Sequence, residues 1–179
     1  MPKFYIADIE TQDCLNTLRS HRQPVTAIAF SPDGQQLVSS SFDRTVKLWD
    51  TITGECLRTF LGHTSRVWTV AYHPNGQMLV SGGDDHATKL WNLKTGRCTR
   101  TLQGHTNAVL SLALSPDGCY LASGHEDQAV RLWNLKSGTI VQMLREHTNR
   151  VWSVAFQPAS QQPLLASGSA DYTIKLWDW

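Results

Sequence analysis

The sequence predicts an all-β chain built of short antiparallel sheets stacked on one another, and three observations predict it. The first is a repeat. His21, His63, His105 and His147 stand 42 residues apart, as do Trp49, Trp91 and Trp133, while Trp177 comes two residues late. The second is the texture inside each repeat, where short runs rich in β-branched and aromatic residues are separated by turn residues. The third is that no segment with helical periodicity competes with those runs. A single small sheet cannot cover both of its faces, so successive repeats must stack to create a core.

Within each repeat four strands, a to d, can be placed in order. Strand a runs near Val25 to Phe30, Val67 to Tyr72, Val109 to Leu114 and Val151 to Phe156. Ser31-Pro32-Asp33-Gly34, His73-Pro74-Asn75-Gly76 and Ser115-Pro116-Asp117-Gly118 follow, with Pro where φ is preset and Gly where φ can be positive. The last repeat replaces this tight turn with Pro158-Ala159-Ser160-Gln161-Gln162-Pro163, and its two extra residues account for the late Trp177. Surface turns tolerate such insertions at small cost. Strand b carries Leu37-Val38-Ser39, Leu79-Val80-Ser81, Leu121-Ala122-Ser123 and Leu165-Ala166-Ser167, and ends in a turn holding Asp43, Asp85, Asp127 and Asp171. Strand c reads VKLW, TKLW, VRLW and IKLW, apolar alternating with basic as in a half-covered strand. Gly54, Gly96 and Gly138 make the next turn, and strand d runs near Cys56 to Phe60, Cys98 to Leu102 and Ile140 to Leu144.

Composition narrows the function. The 179 residues carry a net charge of +1 and are 41% hydrophobic, the balance of a globular chain with a sizeable core. This charge leaves no electrostatic footprint for nucleic acid or a membrane surface. The leading MPKFYIADIETQDC has no apolar signal region, and no apolar run approaches the length of a membrane span, so a cytoplasmic protein is expected. Cys14, Cys56 and Cys98 fall on the 42-residue step, and the fourth repeat has Ile140 in their place. An apolar substitute predicts buried, reduced thiols in a small-residue slot over disulfides or metal ligands. His73, His86 and His125 obey no metal-ligand spacing and are expected to be solvated loop histidines. No metal, cofactor, phosphate loop, CxxC or HExxH is indicated.

The repeats resemble WD40 repeats over almost the entire chain. Gly62-His63 and Gly104-His105 supply the GH signature, Trp49-Asp50 and Trp177-Asp178 the WD signature, with Trp91-Asn92 and Trp133-Asn134 as near variants. Ser20 and Glu146 depart from the pattern by replacing the Gly before His21 and His147. The resemblance implies β-propeller blades and, inside each, a hydrogen-bonded set running from the Trp indole through Ser and His to Asp. Those sets are His21, Ser39, Asp43 and Trp49; His63, Ser81, Asp85 and Trp91; His105, Ser123, Asp127 and Trp133; and His147, Ser167, Asp171 and Trp177. Ser, His and Asp together also suggest nucleophilic catalysis, but catalysis needs a cleft and an oxyanion hole at one site. A set copied through every repeat is expected to be structural, and the chain to be no enzyme.

Function is then expected at frame positions that vary and face outward. In the family resembled, partners dock where the d-to-a and b-to-c loops emerge. The positions there read Pro24, Thr26 and Phe42; Arg66, Trp68 and Asp84; Ala108, Leu110 and Glu126; and Arg150, Trp152 and Ala170. Arg and Trp anchor protein interfaces, so Thr26, Phe42, Arg66, Trp68, Asp84, Leu110, Glu126, Arg150 and Trp152 are the candidate partner-binding residues, facing a protein or peptide. The bland reading of Trp68 and Trp152 is packing between blades at the channel edge. The close similarity of the repeats also resembles WD40 arrays appended to bacterial and fungal signalling NTPases, which implies a sensor or regulatory segment as the alternative function.

The frame divides the chain into residues 1–20, read as strands c and d of a preceding blade, and repeats at 21–62, 63–104, 105–146 and 147–179, the last without strand d. Phe4 to Ile9 aligns with strand c and Cys14 to Leu18 with strand d. Three arrangements follow: an open arc belonging to a longer array, a ring of eight blades from two copies, or a four-bladed ring with sharp angles between sheets.

Overall fold

The computed structural model describes Cys14 and residues 16–104, 106–158 and 164–179, and all regular structure among them is β. His105, the proposed strand at Phe4 to Ile9 and most of the turn before Leu164 lie outside the described residues. The first sheet holds β1 (Val25–Phe30), β2 (Gln36–Ser41), β3 (Thr45–Asp50) and β4 (Cys56–Leu61). The second holds β5 (Val67–Tyr72), β6 (Met78–Gly83), β7 (Thr88–Asn92) and β8 (Cys98–Leu102), and the third β9 (Val109–Leu114), β10 (Tyr120–His125), β11 (Val130–Asn134) and β12 (Thr139–Leu144). The fourth has three strands, β13 (Val151–Phe156), β14 (Leu164–Ser169) and β15 (Ile174–Asp178). Every sheet is an antiparallel meander in sequence order.

Turn chemistry fixes these meanders. In the first hairpin the Gly34 N–H donates to the Ser31 carbonyl at 2.9 Å, and the Ser31 hydroxyl donates to Asp33 Oδ1 at 2.6 Å while accepting the Gln36 N–H. Ser115 and Asp117 repeat the device in the third sheet. Between strands b and c, Arg44, His86, Gln128 and Tyr172 each take positive φ, a conformation that places the preceding Asp against the following strand.

The sheets stack as blades through strand a, β1 against β5, β5 against β9 and β9 against β13. Each seam uses the same positions advanced by one repeat. Val38, Val46, Leu48 and Phe60 of the first blade meet Val67, Val70, Leu79 and Trp91 of the second. Val80, Leu90 and Leu102 then meet Val109, Leu112, Leu121 and Trp133. Ala122, Val130 and Leu132 meet Val151, Val154 and Leu165. The second blade has Thr88 where its neighbours have Val46 and Val130; it is fully buried and its hydroxyl has no partner among the described residues.

Strand d pins the first blade to the second and the second to the third. The Arg58 guanidinium reaches the carbonyls of Lys94 and Thr95, and Arg100 those of Leu135 and Lys136 at 3.0–3.1 Å. These arginines cover Gly96 and Gly138, whose φ near +73° and +75° and close packing both exclude a side chain. Asn16, one repeat before Arg58, covers Gly54 in the same way.

The cysteines correct an expectation. Cys14, Cys56, Cys98 and Cys119 are free but exposed. Cys56 and Cys98 sit at the start of the outermost strand, and in all three recurring cysteines the thiol donates to the carbonyl two residues on, at 3.3–3.6 Å. Ile140 in the fourth of these frames is partly buried against the neighbouring core, so an apolar residue there does not report on the thiols.

Candidate functional site

Three blades show one continuous hydrogen-bonded set. In the second, the Trp91 indole N–H donates to Ser81 Oγ at 2.8 Å, Ser81 Oγ lies 2.8 Å from His63 Nε2, and His63 Nδ1 lies 2.8 Å from Asp85 Oδ2. The first blade repeats this through Trp49, Ser39, His21 and Asp43, and the fourth through Trp177, Ser167, His147 and Asp171. A neutral His that accepts from Ser and donates to Asp gives both ring nitrogens a matched partner. The N–H groups of Arg22, Thr64 and Thr148 each donate, at 3.0 Å, to the carboxylate oxygen that meets the histidine. The set joins the loop before strand a, strand b, the b-to-c turn and strand c, so it ties the whole blade together.

Burial opposes the charge on these carboxylates, but hydrogen bonds overcome it. Thr45, the Arg22 N–H and His21 hold Asp43 well below the usual carboxylate range, and Thr173, His147 and the Thr148 N–H do so for Asp171. Asp85 is lowered by His63 and the Thr64 N–H against the same burial. Ser81 is fully buried and already engaged by Trp91 and His63. No substrate carbonyl can reach it in this arrangement, whatever its resemblance to a nucleophile.

In the third blade, where His105 lies outside the described residues, the described side chains make a further set of contacts. Ser123 accepts the Trp133 indole N–H at 2.9 Å and lies 2.8 Å from Nε2 of His125, at the end of strand b. His125 is fully buried, which corrects its expected place in a solvated loop. Asp127 receives both terminal nitrogens of Arg131, one at 3.0 Å, and the Thr106 hydroxyl at 2.6 Å. Burial again opposes the charge, and Arg131 and Thr106 hold the Asp127 carboxyl well below its usual range. Arg131 is 1% exposed. Two sequence signals mark these contacts: Arg131 stands where Lys47, Lys89 and Lys175 occur, and His125 where Ser41, Gly83 and Ser169 occur. His73 is also not simply solvated, because its Nε2 lies 3.0 Å from the Gly118 carbonyl of the next blade.

The rim residues divide into two groups. The amides of Phe42, Asp84, Glu126 and Ala170 donate to the carbonyls of Pro24, Arg66, Ala108 and Arg150, which sets the rim positions of every blade side by side. Across the first seam, Trp68 packs edge-on against Phe42 at 4.8 Å, Arg66 lies over the same ring at 5.0 Å, and the Trp68 N–H donates to Asp84 at 2.5 Å. Across the third seam, Arg150 pairs with Glu126 at 2.7 Å, and Trp152 is 47% exposed. Thr26 and Leu110 belong to the second group, turned inward. The Thr26 hydroxyl donates to the Val67 carbonyl of the next blade at 2.7 Å, and Leu110 is 9% exposed.

Braced four-stranded meanders, repeated and stacked through their first strands, define a β-propeller protein of the WD-repeat class. A family described as the IFT122 first beta-propeller matches residues 3–179, and the chain belongs to that family. Shorter similarities connect it to other proteins. It is 49% identical over 41 residues to pre-mRNA-processing factor 17 of Saccharomyces cerevisiae, covering 23% of this chain and 9% of that protein. It is 47% identical over 46 residues to vegetative incompatibility protein HET-E-1 of Podospora anserina, 26% of this chain and 3% of that one. It is 50% identical over 40 residues to the Notchless protein homolog of Arabidopsis thaliana, 22% and 8% of the respective chains. The aligned stretches are about one repeat long, so this chain spans only a small part of each relative.

Proposed function

We propose that the chain is a non-catalytic interaction module that receives a protein or peptide partner on the rim where the d-to-a and b-to-c loops emerge. The observation that carries this reading is the cluster of Phe42, Arg66, Trp68 and Asp84. It places an exposed Arg on an ordered aromatic pair across a blade seam. Side chains already fixed by packing lose little freedom on binding, and Arg and Trp are the residue types that dominate interface energetics. Trp152, exposed and two residues after Arg150 in the sequence, gives the rim a second aromatic. The similarity to a component of the COMPASS complex of Saccharomyces cerevisiae, 54% identical over 35 residues, supports a role within assemblies.

The test is selection of ligands from a displayed peptide library, followed by affinity measurement on the wild type and on an Arg66→Ala, Trp152→Ala variant. Loss of about tenfold or more, a difference of about 1.4 kcal/mol, with the thermal transition retained, is the expected result. Selected peptides that bind both proteins equally would place the interaction elsewhere.

A further inference from the structure

Three arginines stand around the Phe42 ring at the seam between the first and second blades. Arg66 lies over the ring at 5.0 Å. Arg44 follows Phe42 by two residues, about 7 Å of chain at most. Arg22 is tied to the same turn, because its N–H donates to Asp43 Oδ2 at 3.0 Å. All three arginines are exposed. That exposure belongs to the repeat: the position of Arg22 is equally exposed as Thr64, Thr106 and Thr148 in the later blades, and that of Arg44 as His86, Gln128 and Tyr172.

The carboxylates of this seam are already engaged by their own surroundings. Asp43 accepts from Thr45 and the Arg22 N–H and meets His21, and Asp84 accepts the Trp68 N–H. None of the three guanidiniums forms an ion pair among the described residues, whereas Arg131 is paired with Asp127 and Arg150 with Glu126. Stacking on Phe42 orders the Arg66 guanidinium and leaves its N–H edge for an acceptor. Such an edge fits a carboxylate with two parallel hydrogen bonds. In the third blade the corresponding positions are Thr106, Ala108 and Gln128, so the unpaired cations are confined to one seam. A few cations in one place match a short acidic segment. The backbone of a nucleic acid calls for a long basic stripe.

We propose that this seam selects an acidic peptide, whose Asp or Glu side chains pair with Arg22, Arg44 and Arg66 while an apolar residue rests against the Phe42–Trp68 pair. The inference rests on the rim reading given above. It adds the charge of the partner, and it adds Arg22 and Arg44, which lie outside the positions first expected to bind. Unpaired guanidiniums beside carboxylates that already have donors favour an incoming acid and repel an incoming base.

Three displayed peptide libraries test this, alike except that fixed alternate positions carry Asp and Glu, Asn and Gln, or Lys and Arg. Selection against the 179-residue chain is expected to yield binders from the acidic library alone. Their affinity should fall about tenfold or more on an Arg22→Thr, Arg44→Gln variant. Both replacements are residues that sister repeats carry at these positions, Thr64 and Gln128, and Gln128 holds the same φ of 69° as Arg44. An Arg97→Gln variant removes an exposed charge at the opposite end of the second blade and should bind as the wild type does. Binders from the neutral or basic library that weaken on the Arg66→Ala, Trp152→Ala variant would overturn the acidic partner and leave the rim reading intact. Acidic binders that ignore Arg22 and Arg44, or that weaken equally on Arg97→Gln, would also overturn it. Binders indifferent to the Arg66 and Trp152 changes, or no binder from any library, would remove both readings.

Discussion

The Thr45 hydroxyl donates a 2.6 Å hydrogen bond to Asp43 Oδ1, and Thr173 does the same for Asp171. The second blade has Ala87 at this position, and Asp85 Oδ1 is buried with no partner among the described residues. The next residue repeats the mismatch, since the Thr88 hydroxyl is buried with no partner among the described residues. An Ala87→Thr, Thr88→Val variant restores the Thr-Val pair of the first blade. It is expected to raise stability by about 1 to 2 kcal/mol, one gained hydrogen bond and one relieved polar burial. Urea denaturation checks this through the midpoint at unchanged slope.

Arg131 is the corresponding weak point of the third blade. Its guanidinium is buried and neutralised by Asp127, so Arg131→Ala leaves a largely buried carboxylate without its cation. Breaking such a pair costs about 3 kcal/mol. Arg131→Lys, the residue of the other three repeats, is expected to recover only part of this, because an ammonium cannot supply the two parallel donors. Chemical denaturation of both variants measures the difference.

Acid should weaken the fold in a defined range. Asp43, Asp85, Asp127 and Asp171 all lie below the ordinary 3.8 in the native state. The unfolded chain therefore binds protons first as pH falls. Their stabilisation is complete above about pH 5 and is lost progressively below about pH 4 as the native values are approached. Urea midpoints at pH 6 and pH 3 test this, and a midpoint that does not fall at pH 3 would contradict the assignment. Asp43→Asn should show a smaller fall than the wild type.

Much of this architecture is legible in the sequence because period, alternation and turn residues agree. All four strands a begin and end where those patterns place them, from Val25–Phe30 to Val151–Phe156. Side-chain environment is harder to read. Ile140 suggests burial for the cysteines, yet the same frame position on an outer strand accommodates an exposed thiol in one blade and a half-covered isoleucine in another. The burial of His125 is not legible in the sequence, because its neighbours in the frame are Ser and Gly, which say nothing about a histidine turned into the blade. Leu110 reads as an interface anchor by type, and only the seam geometry shows it turned inward. The rim contacts of Phe42 with Arg66 and Trp68 cross blades, so no pattern within one repeat announces them.

The repeated Ser-His-Asp-Trp sets hold the blades together, and the denaturation midpoint of Asp85→Ala measures how much they contribute. Removing this carboxylate leaves His63 Nδ1 and the Thr64 N–H without their acceptor. The expected result is a loss of about 1 to 3 kcal/mol. A midpoint equal to that of the wild type would contradict it.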